Sequence, residues 1–380
     1  MSQTAVMRIL DASLNRAGEG LRGVEDYARF LLDDPFLTGQ AKTLRHDLAT
    51  AAAVLTSADR HAARDTQRDV GTAISTDEET RRSDAWGVCA ASLKRAEQSL
   101  RSLEEYGKLV NADFAGQCES FRYRLYTLEK ALDVGRSSRD RLDGVSLCVL
   151  MDGGKSVDEF ERLVRSLVSA EVGMIQLRDK RLDDRALVDR ARLLVTLTRT
   201  QPPAEPGADG RPIYRTLAII NDRADIAAAV GADGIHVGQE DLSVKDARAI
   251  VGTRMLVGVS THNIEQARAA VLDGANYLGA GPTFASSTKS FDQFAGLDYL
   301  QEVASEIRLP TFAIGGVTAK NVADVLATGV TRVAVGAAVA GAADSACAAR
   351  ELLGMLRGVS VSNGLHTVAE ATSPSLTSDL

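Results

Sequence analysis

The 380-residue chain has only four cysteines, Cys89, Cys118, Cys148 and Cys347, and no two of them stand at CxxC or any other metal-ligand spacing. That excludes a cysteine-based zinc site and a disulfide framework. Four separate thiols read as small packing residues, and a reducing cytoplasm is the expected setting. A basic excess is also missing. Lys and Arg total 44 against 51 Asp and Glu, a formal net charge of −7, which argues against a nucleic-acid partner. No apolar run approaches the roughly 20 residues that span a bilayer, so no membrane partner is expected. The opening MSQTAVMRILDAS lacks a basic segment followed by an apolar core, so no secretory signal is expected either. There is no Walker GxxxxGK[ST] and no Ser/His/Asp nucleophile set. What remains is 45% hydrophobic and 25% charged residues, a soluble globular balance at a length that suits two domains.

The two halves differ in rhythm. From about 7 to 135, apolar residues recur at spacings of three and four and β-branched runs are scarce, which predicts helices. Polar residues 139–144 read as a boundary. Beyond them, short strand-like runs alternate with amphipathic stretches, the signature of βαβ units. The strand cores are 146–151, 174–177, 217–221, 234–237, 256–259, 277–280, 311–314 and 332–335, each followed by a helical stretch. Eight such units in about 210 residues predict an α/β fold of the (β/α)8 TIM-barrel type. A doubly wound sheet is the alternative, but it would want GxGxxG after its first strand, where this chain has Met151-Asp-Gly-Gly-Lys155. The expected organisation is an all-α helical domain at 1–140, the barrel at 141–359 and a disordered tail at 360–380. The long connection 201–212 precedes the third strand, and reads as a tolerated insertion on the face away from the chemistry.

The helical half contains an internal duplication. ASLNRAGEGLRGVEDY, from Ala12 to Tyr27, aligns without gaps on ASLKRAEQSLRSLEEY, from Ala91 to Tyr106, and LRHDL at Leu44 is echoed by FRYRL at Phe121. Two similar helical hairpins should pack about a pseudo-twofold axis. The repeat puts Arg22, Glu25 and Asp26 on a helix face equivalent to that of Arg101, Glu104 and Glu105. Those residues suit a shared cleft or, equally, solvated ion pairs at i,i+3 and i,i+4.

Barrel chemistry lies where strands end. The second strand ends Gln176-Leu-Arg178-Asp-Lys180, and alternation turns Gln176, Arg178 and Lys180 to one side, a costly arrangement unless an anion meets them. The third ends Asn221-Asp222 and the fourth runs into Gly238-Gln-Glu-Asp241. Two carboxylates at neighbouring strand ends repel unless a cation or proton intervenes, and Mg²⁺ favours a few carboxylates, waters and phosphate oxygens. Each Asp also suits a helix N-cap. Ser260, Thr261 and His262 follow the fifth strand, and His262 suits either a substrate contact or a structural role. The sixth leads to Ser286, Ser287, Thr288 and Lys289, a loop able to close over a diphosphate. Gly316 after the seventh strand and Ala337 and Ala338 after the eighth offer backbone N–H groups to a phosphate.

The ordered set QLRDK, IINDR, GADGIHVGQED, VGVSTH, GAGPTFASSTK, FAIGG and VAVGAA resembles the thiamine phosphate synthase family, from about Val145 to Val359. The resemblance implies a transferase that joins a pyrimidine diphosphate to a thiazole phosphate with Mg²⁺ on Asp222 and Asp241. It implies that Gln176, Arg178, Lys180, Asn221, Ser286, Thr288 and Lys289 handle the diphosphate substrate. Gly316, Ala337 and Ala338 would hold the thiazole phosphate, with Ser260 near the reacting centre; Arg178, Lys289 and Ser260 are the implied catalytic groups. The family often has Thr where this chain has Ser286, and the hydroxyl is retained. A thiazole tautomerase is the rival within the same fold, and the cations and carboxylates above argue against it. NRAGEGLRGVEDYARF, RDVGT and SLKRAEQSLRSLEEYGK resemble a domain fused to such synthases and associated with phosphorylating hydroxymethylpyrimidine phosphate, which would bring ATP as a co-substrate. A dimerisation or regulatory module is the alternative for that half, and the sequence leaves homo-oligomerisation open.

Overall fold

The computed structural model describes residues 3–65, 82, 84–200, 215–285 and 295–363. The helical half comprises α1 (Gln3–Phe30), α2 (Pro35–Ala51), α3 (Ser57–Ala63), α4 (Ala85–Gly107) and α5 (Ala112–Arg141). Its helix starts are written in the sequence. Asp34 accepts from the Leu37 N–H with Pro35 in the first turn, and Asp84 and Asn111 cap α4 and α5 in the same way. Leu10, Leu21, Leu93, Leu100, Leu125 and Leu132 are wholly buried between the helices.

The duplicated helices α1 and α4 form the central pair, and they run antiparallel. Gly20 lies against Ser92 and Ala96, Gly23 against Ser92, and the Tyr27 and Trp86 rings are 5.6 Å apart. A Cβ on Gly20 would meet the Ser92 carbonyl oxygen at 2.7 Å, so small side chains set this close crossing. Within each hairpin a buried carboxylate is clamped by an arginine of the second helix: Glu25 by Arg45 at 2.8 Å, and Glu104 by Arg122 at 2.9 Å. From the exposed rim, Arg101 adds an i,i+3 contact to Glu104 at 2.7 Å, and Arg22 a longer one to Glu25 at 3.7 Å. Glu25 lies level with Cys89, so Glu104 is roughly fifteen residues, or about 22 Å, along the bundle. The two sets therefore do not line one cleft. Each closes its own hairpin, at opposite ends of the pair.

The barrel follows as β1 (Leu147–Met151), α6 (Val157–Ser169), β2 (Met174–Leu177), α7 (Asp184–Arg199), β3 (Leu217–Asn221), α8 (Ala224–Val230), β4 (Gly234–Val237), α9 (Val244–Val251), β5 (Leu256–Thr261), α10 (Ile264–Asp273), β6 (Tyr277–Ala280), α11 (Gly296–Glu306), β7 (Thr311–Ile314), α12 (Val322–Ala327), β8 (Arg332–Val335), α13 (Ala337–Ala340) and α14 (Ser345–Asn363). The eight strands close in sequence order with parallel pairing throughout. Their near-continuous apolar runs suit strands buried on both faces. Inside, Cys148, Met174, Ile219, Leu256, Tyr277, Phe312 and Ala334 meet in one cluster. The fifth strand runs two residues past the expected stretch, which puts Ser260 and Thr261 in the strand rather than in the loop.

Residues 139–144 are not a free linker. α5 continues to Arg141, and Leu142 and Val145 plug the barrel from below, both buried and packed into the interior cluster. Burying one such side chain contributes about 1.5–3 kcal/mol. Ser138 accepts from Asn276 Nδ2 at 2.9 Å, Arg141 donates to the Arg254 carbonyl at 2.8 Å, and Arg139 donates to the carbonyls of Leu32 and Arg308. Arg254, Asn276 and Arg308 all precede strands, so the helical half sits on the N-terminal face. At the other end of the chain, α14 continues through Asn363, past the point at 360 where a disordered tail was expected. The insertion 201–212 and residues 364–380 lie outside the described residues.

Candidate active site

The C-terminal ends of the strands form the mouth. Gln176 faces inward from β2 and is buried, while Arg178 and Lys180 emerge to an exposed rim. No carboxylate pairs with Arg178 among the described residues. Its charge reaches inward and helps to hold down the pKa of His236. Lys180 Nζ lies 3.4 Å from Asp222 Oδ2. Asp179, between them, turns its side chain the other way, out of solvent. It accepts from the backbone N–H groups of Gly153, Arg181 and Leu182 and from the Arg181 guanidinium. Burial opposes its charge, but these hydrogen bonds outweigh it and hold the carboxyl down at about 2. Asp179 therefore anchors the loop that carries Lys180.

Asn221 ends β3 half-buried, and Asp222 follows with φ of 60°. The left-handed region is uncommon for a residue with a Cβ, though Asp tolerates it better than most. The Asp222 N–H donates to the His236 carbonyl at 2.8 Å, which ties the strained turn to β4. Asp241 lies within hydrogen-bond reach of Asp222. Burial, reinforced by the Asp241 carboxylate, pushes Asp222 above the ordinary range. Asp241 Oδ2 in turn accepts the Gly238 N–H at 2.8 Å. Neither is a helix cap: Ser243 caps α9, and α8 has no side-chain cap. Two facing carboxylates, one of them destabilised by the other, are a hard-oxygen donor set that fits a divalent cation sharing its remaining positions with water and phosphate.

Across the mouth, Gly315 and Gly316 adopt φ of 97° and 67°, and a Cβ on Gly316 would come within 2.5 Å of the Ala285 carbonyl oxygen. Only glycine fits this turn beneath the 281–285 loop. Gly336 supplies no side chain to cap α13, so among the described residues the N–H groups of Ala337 and Ala338 start the helix without a side-chain cap. His262 Nδ1 donates to the Gly281 carbonyl, 2.5 Å away, so that nitrogen serves the loop and carries a proton. Ser286, Ser287, Thr288 and Lys289 lie outside the described residues.

Sequence reading missed His236. It faces inward from β4, buried, with Nε2 2.9 Å from Ser260 Oγ and Nδ1 3.3 Å from Tyr277 Oη. Burial lowers its pKa to about 4. The signal was its place in strand alternation, two residues after Gly234, but a lone histidine in an apolar strand has no spacing motif. Gln239, also missed, donates to the Ser260 carbonyl at 2.6 Å.

The closed parallel barrel with its carboxylates and cations at one end places the chain among the (β/α)8-barrel enzymes. Residues 147–339 match the thiamine monophosphate synthase family and residues 8–131 the ThiD2 family. A thiamine-phosphate synthase of Rhodopirellula baltica is 44% identical over 360 residues, covering 92% of each chain. One of Synechocystis sp. is 38% identical over 355 residues, covering 93% of this chain and 97% of the other. A solved thiamine phosphate pyrophosphorylase from Pyrococcus furiosus is 31% identical, with a TM-score of 0.48, covering 57% of this chain and 96% of that one. The chain belongs to the thiamine-phosphate synthase family, a family of transferases.

Proposed function

We propose that the mouth joins hydroxymethylpyrimidine diphosphate to hydroxyethylthiazole phosphate and releases diphosphate. The observation that carries this reading is the Asp222–Asp241 pair beside Lys180, facing open N–H groups across the same mouth. Asp222 and Asp241 would hold Mg²⁺, which when bound supplies positive charge for the departing diphosphate. Arg178 and Lys180 add fixed charge on the same side. Ser286, Thr288 and Lys289 are assigned to the same group on the strength of sequence alone. Gln176 and Asn221 orient the pyrimidine, Ser260 stands near the reacting carbon, and the turns at Gly316 and Ala337–Ala338 hold the thiazole phosphate. The C–O bond to diphosphate breaks, its electron pair leaves with the diphosphate, and the thiazole nitrogen forms the new N–C bond. No proton must move in that exchange, so the residues act by stabilising charge and by alignment.

We infer from the ThiD2 match that the helical half phosphorylates hydroxymethylpyrimidine phosphate with ATP, in a cytoplasmic protein. Cys89, Cys118 and Cys148 are free and buried, as a reducing compartment allows. No helix among the described residues is long and apolar enough to cross a membrane. The test supplies the full chain with Mg²⁺, thiazole phosphate and ready-made pyrimidine diphosphate, and looks for thiamine phosphate. Its absence overturns the synthase reading. Replacing the diphosphate by the monophosphate plus ATP tests the kinase: product with the first substrate and none with the second would make the helical half a non-catalytic module.

A further inference from the structure

Below the mouth, three polar side chains meet inside the apolar barrel. His236 bridges Ser260 and Tyr277 through its two ring nitrogens, and the His236 and Tyr277 rings lie 5.5 Å apart at 36°. Tyr277 is 2% exposed, and only Ser260 reaches the mouth. The surrounding strands make room for this chain of groups. A Cβ on Gly258 would come within 2.0 Å of the Tyr277 ring, and one on Gly279 within 3.1 Å of the imidazole. Glycine within a strand marks such a close approach.

We propose that His236 and Tyr277 are positioning residues that fix Ser260 as a hydrogen-bond donor to the substrate. The Tyr277 hydroxyl carries one hydrogen, and its hydrogen-bond contact among the described residues is His236 Nδ1. A buried hydroxyl that keeps its proton unshared is costly, so Tyr277 donates and Nδ1 accepts. A neutral imidazole has one proton, which then sits on Nε2 and is donated to Ser260 Oγ. With Nδ1 accepting from Tyr277, the ring is neutral. Ser260 thus accepts from below, and its own proton is left to point into the mouth. The opposite tautomer would strand the Tyr277 proton and spend the Ser260 proton on the imidazole. The mouth therefore selects a substrate with a lone-pair atom, a ring nitrogen or an oxygen, above Ser260.

This inference rests on the synthase reading and deepens it, and its first test does not depend on that reading. In ¹⁵N-labelled full-length protein, the His236 signals, assigned by their loss in His236→Gln, should show a protonated Nε2 and a bare Nδ1. A protonated Nδ1 overturns the proposal whatever the enzyme catalyses. The second test is kinetic. Tyr277→Phe keeps the ring and its packing, and should lower kcat about tenfold while leaving the KM for thiazole phosphate within about twofold. In a Ser260→Ala background the same change should cost nothing further, because Tyr277 acts only through Ser260. Losses that multiply would overturn it. His236→Gln, whose amide can donate to Ser260, should recover part of the kcat lost in His236→Leu; equal losses count against a donor role. Failure of the wild type to form thiamine phosphate would sink the synthase reading and leave the tautomer assignment standing.

Discussion

At Asp222 three unfavourable features coincide: a left-handed backbone, partial burial and the Asp241 carboxylate beside it. A side chain kept under such strain points to function rather than stability. Asp222→Gly removes the strain and the like charge together. We expect its melting temperature to equal or exceed that of the wild type, while Mg²⁺-dependent synthesis falls about a hundredfold or more. Normal activity with unchanged Mg²⁺ dependence in that variant would sink the metal assignment. Asp179 is the converse case, a carboxylate held for structure. Its folded pKa, about 2, lies below the ordinary value, so the native state binds fewer protons than the unfolded state as pH falls through that range. Its contribution is complete above about pH 4 and is lost between about pH 4 and 2. Asp179→Asn should therefore lower stability at pH 7, on the order of 1–2 kcal/mol, and flatten the acid limb of the stability curve. A variant with an unchanged acid limb would show that Asp179 does not hold the loop.

At the scale of elements, strand ends and the turns after them divide the work. β2, β3 and β4 bring carboxylates and cations to one side of the mouth, and the turns after β7 and β8 bring backbone N–H groups to the other. The Gly316 turn should be the more brittle, because a Cβ there meets the Ala285 carbonyl at 2.5 Å and the Phe284 side chain at 2.9 Å. Gly316→Ala should raise the KM for thiazole phosphate about tenfold or more and leave that for pyrimidine diphosphate within about threefold. Steady-state kinetics with each substrate varied in turn checks this; a loss confined to the pyrimidine substrate would move the turn to the other phosphate. In the helical half, the buried Glu25–Arg45 and Glu104–Arg122 pairs join helices within hairpins. Removing one partner from a buried pair typically costs about 3–5 kcal/mol, so loss of any chemistry in such variants must be separated from loss of fold.

For the whole molecule, the helical half caps the barrel floor while the mouth opens at the far end. A protein shortened to begin at Leu142 keeps the floor plug and the whole mouth but loses the Ser138–Asn276 and Arg141–Arg254 contacts. It should make thiamine phosphate from ready-made pyrimidine diphosphate at near-normal kcat, melt several degrees lower than the full chain, and make none from the monophosphate and ATP. Turnover of the monophosphate by this soluble barrel would place the kinase in the barrel and overturn its assignment to the helical half. The contacts at Ser138, Arg139 and Arg141 put the helical half at the end of the barrel opposite the mouth, so on the proposed reading the diphosphate leaves the half that makes it before it meets the thiazole phosphate. An added trap for the diphosphate should therefore intercept it.

Strand alternation, helix caps and glycine positions are local, so the sequence by itself determined the eight strands, the order of their ends and the duplicated hairpins. Gln176, Asp222, Asp241 and Gly316 were legible for the same reason, since each sits at a strand end whose position local pattern predicts. The tertiary structure decided what depends on distant chain segments meeting. His236, Ser260 and Tyr277 come from three strands, and only closure of the barrel stacks them beneath the mouth. The polar run at 139–144 reads as no more than a boundary because nothing local reveals that Arg139 and Arg141 reach carbonyls of the barrel floor, or that Leu142 fills it. Likewise, Glu25 and Glu104 share a pattern, but the antiparallel packing of α1 on α4 carries them to opposite ends. Side-chain partners are set by burial and backbone direction in three dimensions, which a one-dimensional period cannot encode.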